Sequence, residues 1–327
     1  MALTAEFAAP PATEQELVWG SGSFDRVPEL LEALDCRRVL AVGSGSVDAV
    51  IARLPGLLDR RYLGRWSDVP AHVPTHQANL AVGSAQETHA DSVLAIGGGS
   101  AIGLGKIVAF ALRLPLIAVP TTFAGAERTS RYHVTTERGK ESGTSGRALP
   151  RAVVYDPVLV SGLPPAVVAS SGITAIAHCV EVLCHHAGED AWSSAREGLL
   201  LLWGSLPVLF AGAGRPGTWL DALAGASLAG RALEVLGEPA VVHEASDLLS
   251  VRSGLGYGLA QALLLPRALG GRGEEAVSAL AELRPDVGGE RALGEFAAAL
   301  GLVEQPGALA SPGVAEAWSE ALASLSR

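Results

Sequence analysis

The chain has 327 residues, and 49% of them are hydrophobic, which is enough for a sizeable buried core in two domains or one large one. Lys and Arg number 24 against 34 Asp and Glu, so the formal net charge is 24 − 34 = −10. This acidic balance argues against a protein that tracks the phosphates of a nucleic acid, and it favours a small-molecule partner.

The segment before Gly20 lacks the basic start and the apolar run of a signal peptide. We expect its "AAPPATEQ" stretch to be a loose arm and the ordered part to begin at Leu17. No apolar run elsewhere is expected to span a bilayer without interruption, so no membrane partner is predicted. The cysteines, Cys36, Cys179 and Cys184, show no Cys-x-x-Cys spacing, which predicts reduced thiols and a cytoplasmic location.

The first half of the chain alternates short apolar runs with helical segments. From Arg38, "RVLAVGSGSVDAVIARL" has the pattern of a buried strand, a glycine turn and a helix. The stretch "ADSVLAIGGGSAIGLGKIVAFALRL" repeats this pattern, and "LPLIAVPTT" and "RAVVYDP" add two apolar strands. This alternation predicts an α/β domain with a parallel sheet covered on both faces.

The pattern changes after Pro157, where the remaining segments carry helical periodicity punctuated by Gly and Pro. We therefore predict an α/β nucleotide-binding domain over 1–156 and an all-helical domain over 157–327. The polar, glycine-rich stretch "TTERGKESGTSGRALP" just before this boundary predicts a surface loop or hairpin.

A glycine-rich turn follows the second apolar strand. Gly97, Gly98, Gly99 and Ser100 precede a helical segment, and such a turn lets backbone N–H groups approach a diphosphate at a helix N-terminus. A tight turn without a ligand is the alternative. The spacing matches neither G-x-G-x-x-G, whose third glycine would fall on Ile102, nor the G-x-x-x-x-G-K-[ST] loop.

A second ligand-compatible turn follows the next strand. Thr121 and Thr122 in "IAVPTTFAGAERT" come at the carboxyl end of that strand, where open α/β sheets bind ligands. The two hydroxyls could instead cap the following segment. Together the two turns favour a bound nucleotide.

Four motifs in order, "DSVLAIGGGSAIGLGK", "PTTFAGAE", "ALPRAVVYDP" and "SGITAIAHCVEVL", resemble the iron-containing alcohol dehydrogenase superfamily, most of all its maleylacetate reductase branch. The resemblance runs from about Val18 to the "LLLPRALG" segment near Pro266. It implies a dehydroquinate synthase-like, iron-alcohol-dehydrogenase-like fold, with nicotinamide and substrate held in a cleft between an α/β and a helical domain. It also suggests a homodimer.

The resemblance implies NADH or NADPH as cofactor. By position, Gly97, Gly98, Gly99 and Ser100 would cradle the pyrophosphate, and Thr121 and Thr122 would line the nicotinamide side. Lys140 matches a lysine that reaches the cofactor region in the family, although a solvated lysine is an equal alternative in so polar a stretch. Many family members have an acidic residue after the first strand, whereas this chain has Gly43 to Ser46, so neither coenzyme is excluded.

The resemblance also implies that the metal site is degraded. Family metalloenzymes hold a divalent ion with one aspartate and three histidines, and the first two ligands lie four residues apart on one helix face. The corresponding pair here is Thr174 and His178, so the first ligand is a neutral hydroxyl. We predict no tightly bound metal, because a catalytic divalent ion usually takes at least three protein ligands.

The remaining ligand positions are counted back from "LLLPRALG". His243 matches the third ligand and Tyr257 the fourth, while Asp247 and Gln261 replace histidines of the family. A residual set of His178, His243 and Asp247 remains as an alternative metal site if the helices bring these side chains together.

Without a metal, the protein must supply a proton donor to the nascent alkoxide or enol. His178, His243 and Tyr257 are the candidates, with Asp247 one turn after His243 to orient its imidazole. A histidine that only fills the core is the alternative. Arg252 is a candidate for binding a substrate carboxylate.

Three functions follow from these observations. The first is a metal-independent NAD(P)H-dependent oxidoreductase that acts on a small carbonyl, enone or imine substrate. The second is a diverged lyase, isomerase or cyclase, and the third is a non-catalytic nucleotide-binding protein. The intact glycine turn beside an altered metal site favours the first two.

Overall fold

The computed structural model describes residues 15–70, 72–137, 139–185, 188–237, 241–269, 274–287, 289–302 and 312–325. These residues divide into two compact units, the first ending at Gly162 and the second comprising 123–125 and everything from Leu163. The predicted boundary at Asp156 stays a prediction. Apart from its last residue, Gln15, the predicted loose arm lies outside the described residues.

The first unit alternates strands and helices, as the apolar runs of the sequence predict. Helices α1 to α3 are short, and two longer helices, α4 and α5, precede and follow β4. The elements are β1 (Glu16–Trp19), α1 (Val27–Ala33), β2 (Val39–Val42), α2 (Asp48–Ile51), α3 (Leu54–Leu58), β3 (Tyr62–Trp66), α4 (Thr75–Glu87), β4 (Ser92–Gly97), α5 (Gly99–Leu112), β5 (Leu116–Pro120), β6 (Arg131–Thr136), β7 (Gly139–Thr144), β8 (Ala152–Tyr155) and α6 (Pro157–Val160).

Six of these strands form one sheet in the order β1-β8-β5-β4-β2-β3, and every neighbouring pair is parallel. The parallel sheet predicted from the sequence is therefore confirmed. From β2 the chain continues to β3 on one side, whereas from β4 it continues to β5 on the other side. The carboxyl ends of β2 and β4 thus flank the point where the strand order reverses, which is the usual ligand position in open α/β sheets.

Apolar side chains cover both faces of this sheet. Along β4, Leu94 and Ile96 pack into the cluster that includes α1 and α3, whereas Val93 and Ala95 pack into the cluster of α4 and α5. Because successive strand residues point to opposite faces, a sheet covered on both sides needs a continuous apolar strand. That is why "SVLAIG" shows no polar alternation.

The polar stretch before β8 forms an antiparallel hairpin of β6 and β7, in which Thr135 pairs with Lys140. It is anchored to α5 by Lys106, which is 2% exposed and donates to Thr129 Oγ1 at 2.9 Å and to the Arg131 carbonyl at 3.0 Å. A buried ammonium group needs such partners to offset the loss of water.

The described part of the second unit is helical apart from its loops, as predicted. Helix α7 is almost wholly buried and contacts α8, α9 and α11. The helices are α7 (Pro165–Leu183), α8 (Glu189–Phe210), α9 (Pro216–Leu236), α10 (Val241–Ser253), α11 (Tyr257–Ala268), α12 (Glu274–Leu283), α13 (Gly289–Ala299) and α14 (Pro312–Leu325).

Helix α7 is long and apolar enough to cross a bilayer by length and composition, whereas the sequence analysis expected no run of that length. In the structure, 72% of its most apolar window is buried. The central helix of a packed helical unit needs apolar residues on all sides and passes the same test. Burial against neighbouring helices accounts for its composition.

Candidate active site

Three turns lie side by side at the carboxyl edge of the sheet in the first unit. They follow β2, β4 and β5 and comprise residues 43–46, 97–100 and 121–122. The turns after β4 and β5 are tied together by a hydrogen bond from the Thr121 N–H to the Gly97 carbonyl at 3.0 Å. The sequence elements predicted to bind the cofactor, except Lys140, therefore share one edge.

The glycines of the middle turn are required by its geometry. Gly97 has φ +146°, a conformation that side chains rarely adopt, and a Cβ there would lie 2.8 Å from the Ala101 Cβ. A Cβ on Gly98 would lie 3.0 Å from Thr122 Cγ2 and 3.1 Å from Thr122 Oγ1. The backbone therefore carries no Cβ atoms at the place where a phosphate would approach it.

Helix α5 begins directly after this turn. Gly98 is its N-cap residue and has no side chain to accept from the first N–H groups, and the sequence around it supplies no capping bond. Such uncapped N–H groups, with the positive end of the helix dipole, suit an anionic ligand. Ser100 is half-buried in the first turn of α5, and Thr121 is 6% exposed. These residues fit a pyrophosphate group.

Lys140 lies on β7 of the hairpin, where it is exposed. Its structural position matches the hairpin predicted for this stretch, and its role toward a cofactor stays a prediction.

An ion pair that the sequence analysis overlooked lies next to the turn after β2. Asp48 Oδ2 lies 3.9 Å from the position that a Cβ on Gly45 would take, and Asp48 is paired with Arg65 of β3 at 2.5 Å. Ser44 and Ser46 share a hydroxyl hydrogen bond of 2.8 Å beside it. Both an acidic and a basic group therefore lie near this turn.

In the second unit, one face of α7 carries three polar side chains in a row. Thr174, His178 and Glu181 are spaced four and three residues apart, which places them on the same side of the helix. All three are buried, with 9%, 5% and 2% exposure. Buried polar groups in an apolar helix must find partners in neighbouring elements.

His243 on α10 is one of those partners. Its ring stacks on that of His178 with centroids 4.4 Å apart and an interplanar angle of 13°. Its Nδ1 lies 3.0 Å from Glu181 Oε2. The sequence analysis expected Asp247 to orient this ring, but the structure assigns the hydrogen bond on Nδ1 to Glu181.

Gln261 on α11 completes the arrangement. Its Nε2 lies 3.5 Å from His243 Nε2, and its Oε1 accepts from Thr174 Oγ1 at 2.6 Å. The helices can approach this closely because Gly258 of α11 has no side chain, and a Cβ there would lie 2.6 Å from the Ser170 Cα of α7. We call the set Thr174, His178, Glu181, His243 and Gln261 the histidine network.

Tyr257 and Asp247 lie beside this network. The Tyr257 ring is 6.1 Å from that of His243 and tilted by 60°. Burial, and then the carboxylates of Asp247 and Glu181, raise the pKa of the Tyr257 phenol well above its ordinary value of 10.0. The phenol therefore keeps its proton over the whole physiological range.

Comparison with known proteins identifies the family. The family model described as iron-containing alcohol dehydrogenase matches residues 14–157. A maleylacetate reductase of Burkholderia cepacia is 34% identical over 289 residues, which cover 88% of this chain and 80% of the relative. The chain belongs to the iron-containing alcohol dehydrogenase family.

Solved structures of the family support the same assignment. The maleylacetate reductase of Agrobacterium tumefaciens has a TM-score of 0.85 and 29% identity, with 97% of this chain and 92% of that chain covered. A sulfoacetaldehyde reductase of Bifidobacterium kashiwanohense, solved in complex with NAD+, has a TM-score of 0.83, with coverage of 99% and 92%. At 21% identity the latter shows the fold. Homologues of this chain are oxidoreductases, and the family, the fold class and the enzyme class that the sequence predicted are confirmed.

The family is named for iron, yet the donor set of this chain does not fit a metal ion. A histidine lone pair lies in the plane of its ring, so an ion between the stacked rings of His178 and His243 would lie out of both planes. The Thr174 hydroxyl is engaged by Gln261. Among the residues that the structure describes, no three His, Cys, Asp or Glu side chains are grouped to hold a metal ion. The alternative set of His178, His243 and Asp247 is not such a group either.

Sequence reasoning did not assign Glu181 to the site. A glutamate near the end of a mostly apolar helix, three residues after a candidate histidine, was the available signal, because a buried carboxylate needs a partner. Arg252, a candidate for binding substrate, is instead paired with Glu320 of α14 on the surface of the second unit.

Proposed function

We propose that this protein is a metal-independent reductase that uses NADH or NADPH to reduce a small carbonyl, enone or imine substrate. Its membership in a family of oxidoreductases gives the reaction class. The observation that carries the metal-independent part is the parallel stack of His178 on His243, because this geometry turns the ring lone pairs away from a common point. Hydrogen bonds instead join Thr174, Gln261, His243 and Glu181 in series.

For the coenzyme, we propose that backbone N–H groups of Gly97, Gly98 and Gly99, with Ser100, bind the pyrophosphate. The uncapped start of α5 supports this assignment, because it supplies unpaired donors and a favourable dipole. Thr121 and Thr122 are proposed to line the nicotinamide side, and Lys140 to reach the cofactor. The NAD+ complex of the Bifidobacterium reductase supports a nicotinamide dinucleotide in this fold.

When bound, the coenzyme supplies the hydride, and the chain must orient the substrate and provide a proton. We propose His178, His243 and Tyr257 for this work, with Asp247 acting on Tyr257. Because burial keeps the Tyr257 phenol protonated, it can donate a hydrogen bond to a negatively charged oxygen without losing its proton to solvent. Nδ1 of His243 is held by Glu181 at 3.0 Å, so proton exchange would use Nε2, whose contact with Gln261 is the longer one at 3.5 Å.

Two experiments test the proposal. Fluorescence titration of the purified protein with NADH and with NADPH should show binding of at least one, and no binding of either would overturn the coenzyme assignment. NADH oxidation is then measured with maleylacetate and a panel of small aldehydes, enones and imines. Consumption of a substrate without coenzyme oxidation would indicate non-redox chemistry instead.

Metal independence has its own measurement. Elemental analysis of the protein is expected to give far less than one divalent ion per chain, and incubation with a chelator should leave the reductase rate unchanged. A stoichiometric metal together with loss of activity on chelation would contradict it. A metal-dependent family member prepared in parallel is the positive control.

We further propose a homodimer in the cytoplasm. The family suggests the dimer, and sedimentation velocity would test it. Cys36, Cys179 and Cys184 are all free of disulfides, which is in keeping with a reducing compartment. Burial raises the pKa of the Cys36 and Cys179 thiols, so both remain unreactive.

A further inference from the structure

Glu181 is a buried carboxylate that enters the proposed function only as the partner of His243 Nδ1. It lies in the last turns of α7 and is 2% exposed. Burying a carboxylate costs several kcal/mol unless it is matched by donors. Its surroundings therefore show what it does.

Two donors meet the two oxygens of Glu181. The backbone N–H of Val242 donates to Oε1 at 2.7 Å, and His243 Nδ1 lies 3.0 Å from Oε2. Val242 is in the first turn of α10, where backbone N–H groups have no acceptor within the helix. A carboxylate can only accept, so His243 must carry its proton on Nδ1 to make the second bond.

The remaining bonds of the histidine network agree with this proton position. With the proton on Nδ1, His243 Nε2 is an acceptor, and it faces the Nε2 amide group of Gln261 at 3.5 Å. The amide oxygen of Gln261 in turn accepts from the Thr174 hydroxyl at 2.6 Å. Every donor in this chain of bonds thus points the same way, from Thr174 toward Glu181.

We infer that Glu181 is a positioning residue, which holds His243 in the Nδ1–H tautomer and so leaves the lone pair on Nε2, the ring nitrogen that faces Gln261. Only the catalytic consequence of this inference rests on the proposed function. The tautomer itself is a property of the second unit and can be measured without substrate or coenzyme.

A purely structural role for Glu181 is the competing explanation, because the same carboxylate caps the start of α10 through Val242. Substitution of Glu181 by glutamine separates the two roles. The Val242 N–H is always a donor, so the amide oxygen of a glutamine must face it, and the cap is retained. The amide NH₂ group then faces His243 Nδ1, which must become an acceptor.

Glu181→Gln is therefore expected to invert the His243 tautomer to Nε2–H. The rest of the network can follow, since Gln261 can turn its amide over and the Thr174 hydroxyl can donate to the Ser170 carbonyl, 3.1 Å away. No atom is lost and no cavity is created. The variant should fold and keep α10 in place.

The test is the ¹⁵N NMR spectrum of the full chain labelled at histidine, recorded at least one pH unit above the ordinary histidine pKa of about 6.5. Two-bond ¹⁵N–¹H correlations distinguish the two tautomers, and His243→Gln assigns the signals by their loss. Wild type is expected to show Nδ1–H, Glu181→Gln to show Nε2–H, and Glu181→Ala a mixture. Glu197→Gln, on the exposed face of α8, is the matched control and should give the wild-type pattern.

An Nε2–H tautomer in the wild type would overturn the inference by itself, whether or not any variant folds. An Nδ1–H tautomer retained in Glu181→Gln would overturn it as well, because the carboxylate would then not be its cause. A merely structural cap predicts no change of tautomer in the glutamine variant.

The catalytic consequence is measured separately with a substrate of the wild-type protein. Glu181→Gln should lower kcat by about 10- to 100-fold, as outer carboxylates behind functional histidines do, while KM for the coenzyme stays the same. An inverted tautomer with unchanged kcat would contradict the role of His243 in the proposed function, yet leave the positioning by Glu181 intact. The two failures are thus distinguishable.

Discussion

The two candidate binding regions of this protein use different chemical groups, which are backbone groups in the first unit and side chains in the second. At the sheet edge of the first unit, the ligand would contact backbone N–H groups. The absence of side chains at Gly97 and Gly98 leaves room for this approach. In the histidine network of the second unit, all of the chemistry is carried by side chains. Those side chains come from three helices, with Thr174 and Gln261 separated by 87 residues.

This difference decides which substitutions would abolish each site. A backbone site is lost when a Cβ or a strained φ displaces the turn, and any larger residue has this effect. A side-chain network is lost when one donor or acceptor changes type, even if the shape is kept. In the histidine network, even a nearly isosteric substitution should therefore impair function. At the sheet edge, a substitution should impair function only where it adds atoms to the backbone turn.

The largest effect is expected from His243→Gln. The amide can still donate to Glu181, so the fold should hold, but the proton-exchanging Nε2 is lost. We expect kcat/KM to fall by about 10²- to 10⁴-fold in the coenzyme oxidation assay. His185→Gln is the control, because that ring bonds the Glu181 backbone carbonyl at 2.6 Å near the end of α7. Equal losses in both variants would mean that His243 has no special role.

Gly97→Ala should have the next largest effect. The added Cβ would lie 2.8 Å from Ala101 Cβ at φ +146°, and we expect about 1–3 kcal/mol lower free energy of unfolding. The coenzyme Kd, measured by fluorescence titration, should rise about tenfold or more.

The matched control for this prediction is Gly83→Ala in α4, where a Cβ would meet nothing within 4 Å. Alanine favours a helix over glycine, so this variant should gain about 0.5–1 kcal/mol and bind coenzyme as before. Wild-type coenzyme affinity in Gly97→Ala would remove the sheet edge as the pyrophosphate site.

A smaller effect on stability, confined to alkaline pH, is expected from Tyr257→Phe. The raised pKa of Tyr257 means that the unfolded chain ionises this group near its ordinary pKa of about 10, while the folded chain does not. Stability from this group is complete below pH 10 and is lost above it, by at most about 1.36 kcal/mol per pH unit. Chemical denaturation of Tyr257→Phe should lack this alkaline decline, and an unchanged decline would show that Tyr257 titrates normally.

The smallest effect is expected in the first unit, from Glu127→Gln. Glu127 is 1% exposed and accepts from the Tyr155 hydroxyl at 2.9 Å, and burial raises the pKa of its carboxyl group. The carboxyl group therefore holds its proton more tightly in the folded chain than in the unfolded chain, which ionises above about pH 4.3, so the native state loses stability as the pH rises from that value.

The glutamine variant keeps the bond to Tyr155 and should reduce this loss, which denaturation curves between acid and neutral pH would detect. Glu87→Gln, at the exposed end of α4, is the control and should follow the wild-type curve. A steeper loss in Glu127→Gln would mean that the ionised carboxylate, next to Lys106 and Arg128, is the stabilising form.

The sequence alone determined the parallel sheet, the helical second half and the glycine turn. Each depends on residues near one another in the chain: the unbroken apolar run of β4, the helical periodicity of the segments after Pro157, and Gly97 to Gly99 directly between a strand and a helix. Local steric and burial requirements suffice for such features, so they can be read without knowing the packing.

Only the tertiary structure decided which groups meet at His243. From the sequence, Asp247 was the nearest carboxylate on the same helix, yet the bond on Nδ1 comes from Glu181, 62 residues away. The distance between helices and the direction of each side chain are set by close contacts such as that of Gly258 on Ser170, which no local pattern encodes. For the same reason, the stacking of His178 on His243, and with it the lack of a fit for a metal ion, became visible only once α7, α10 and α11 were packed together.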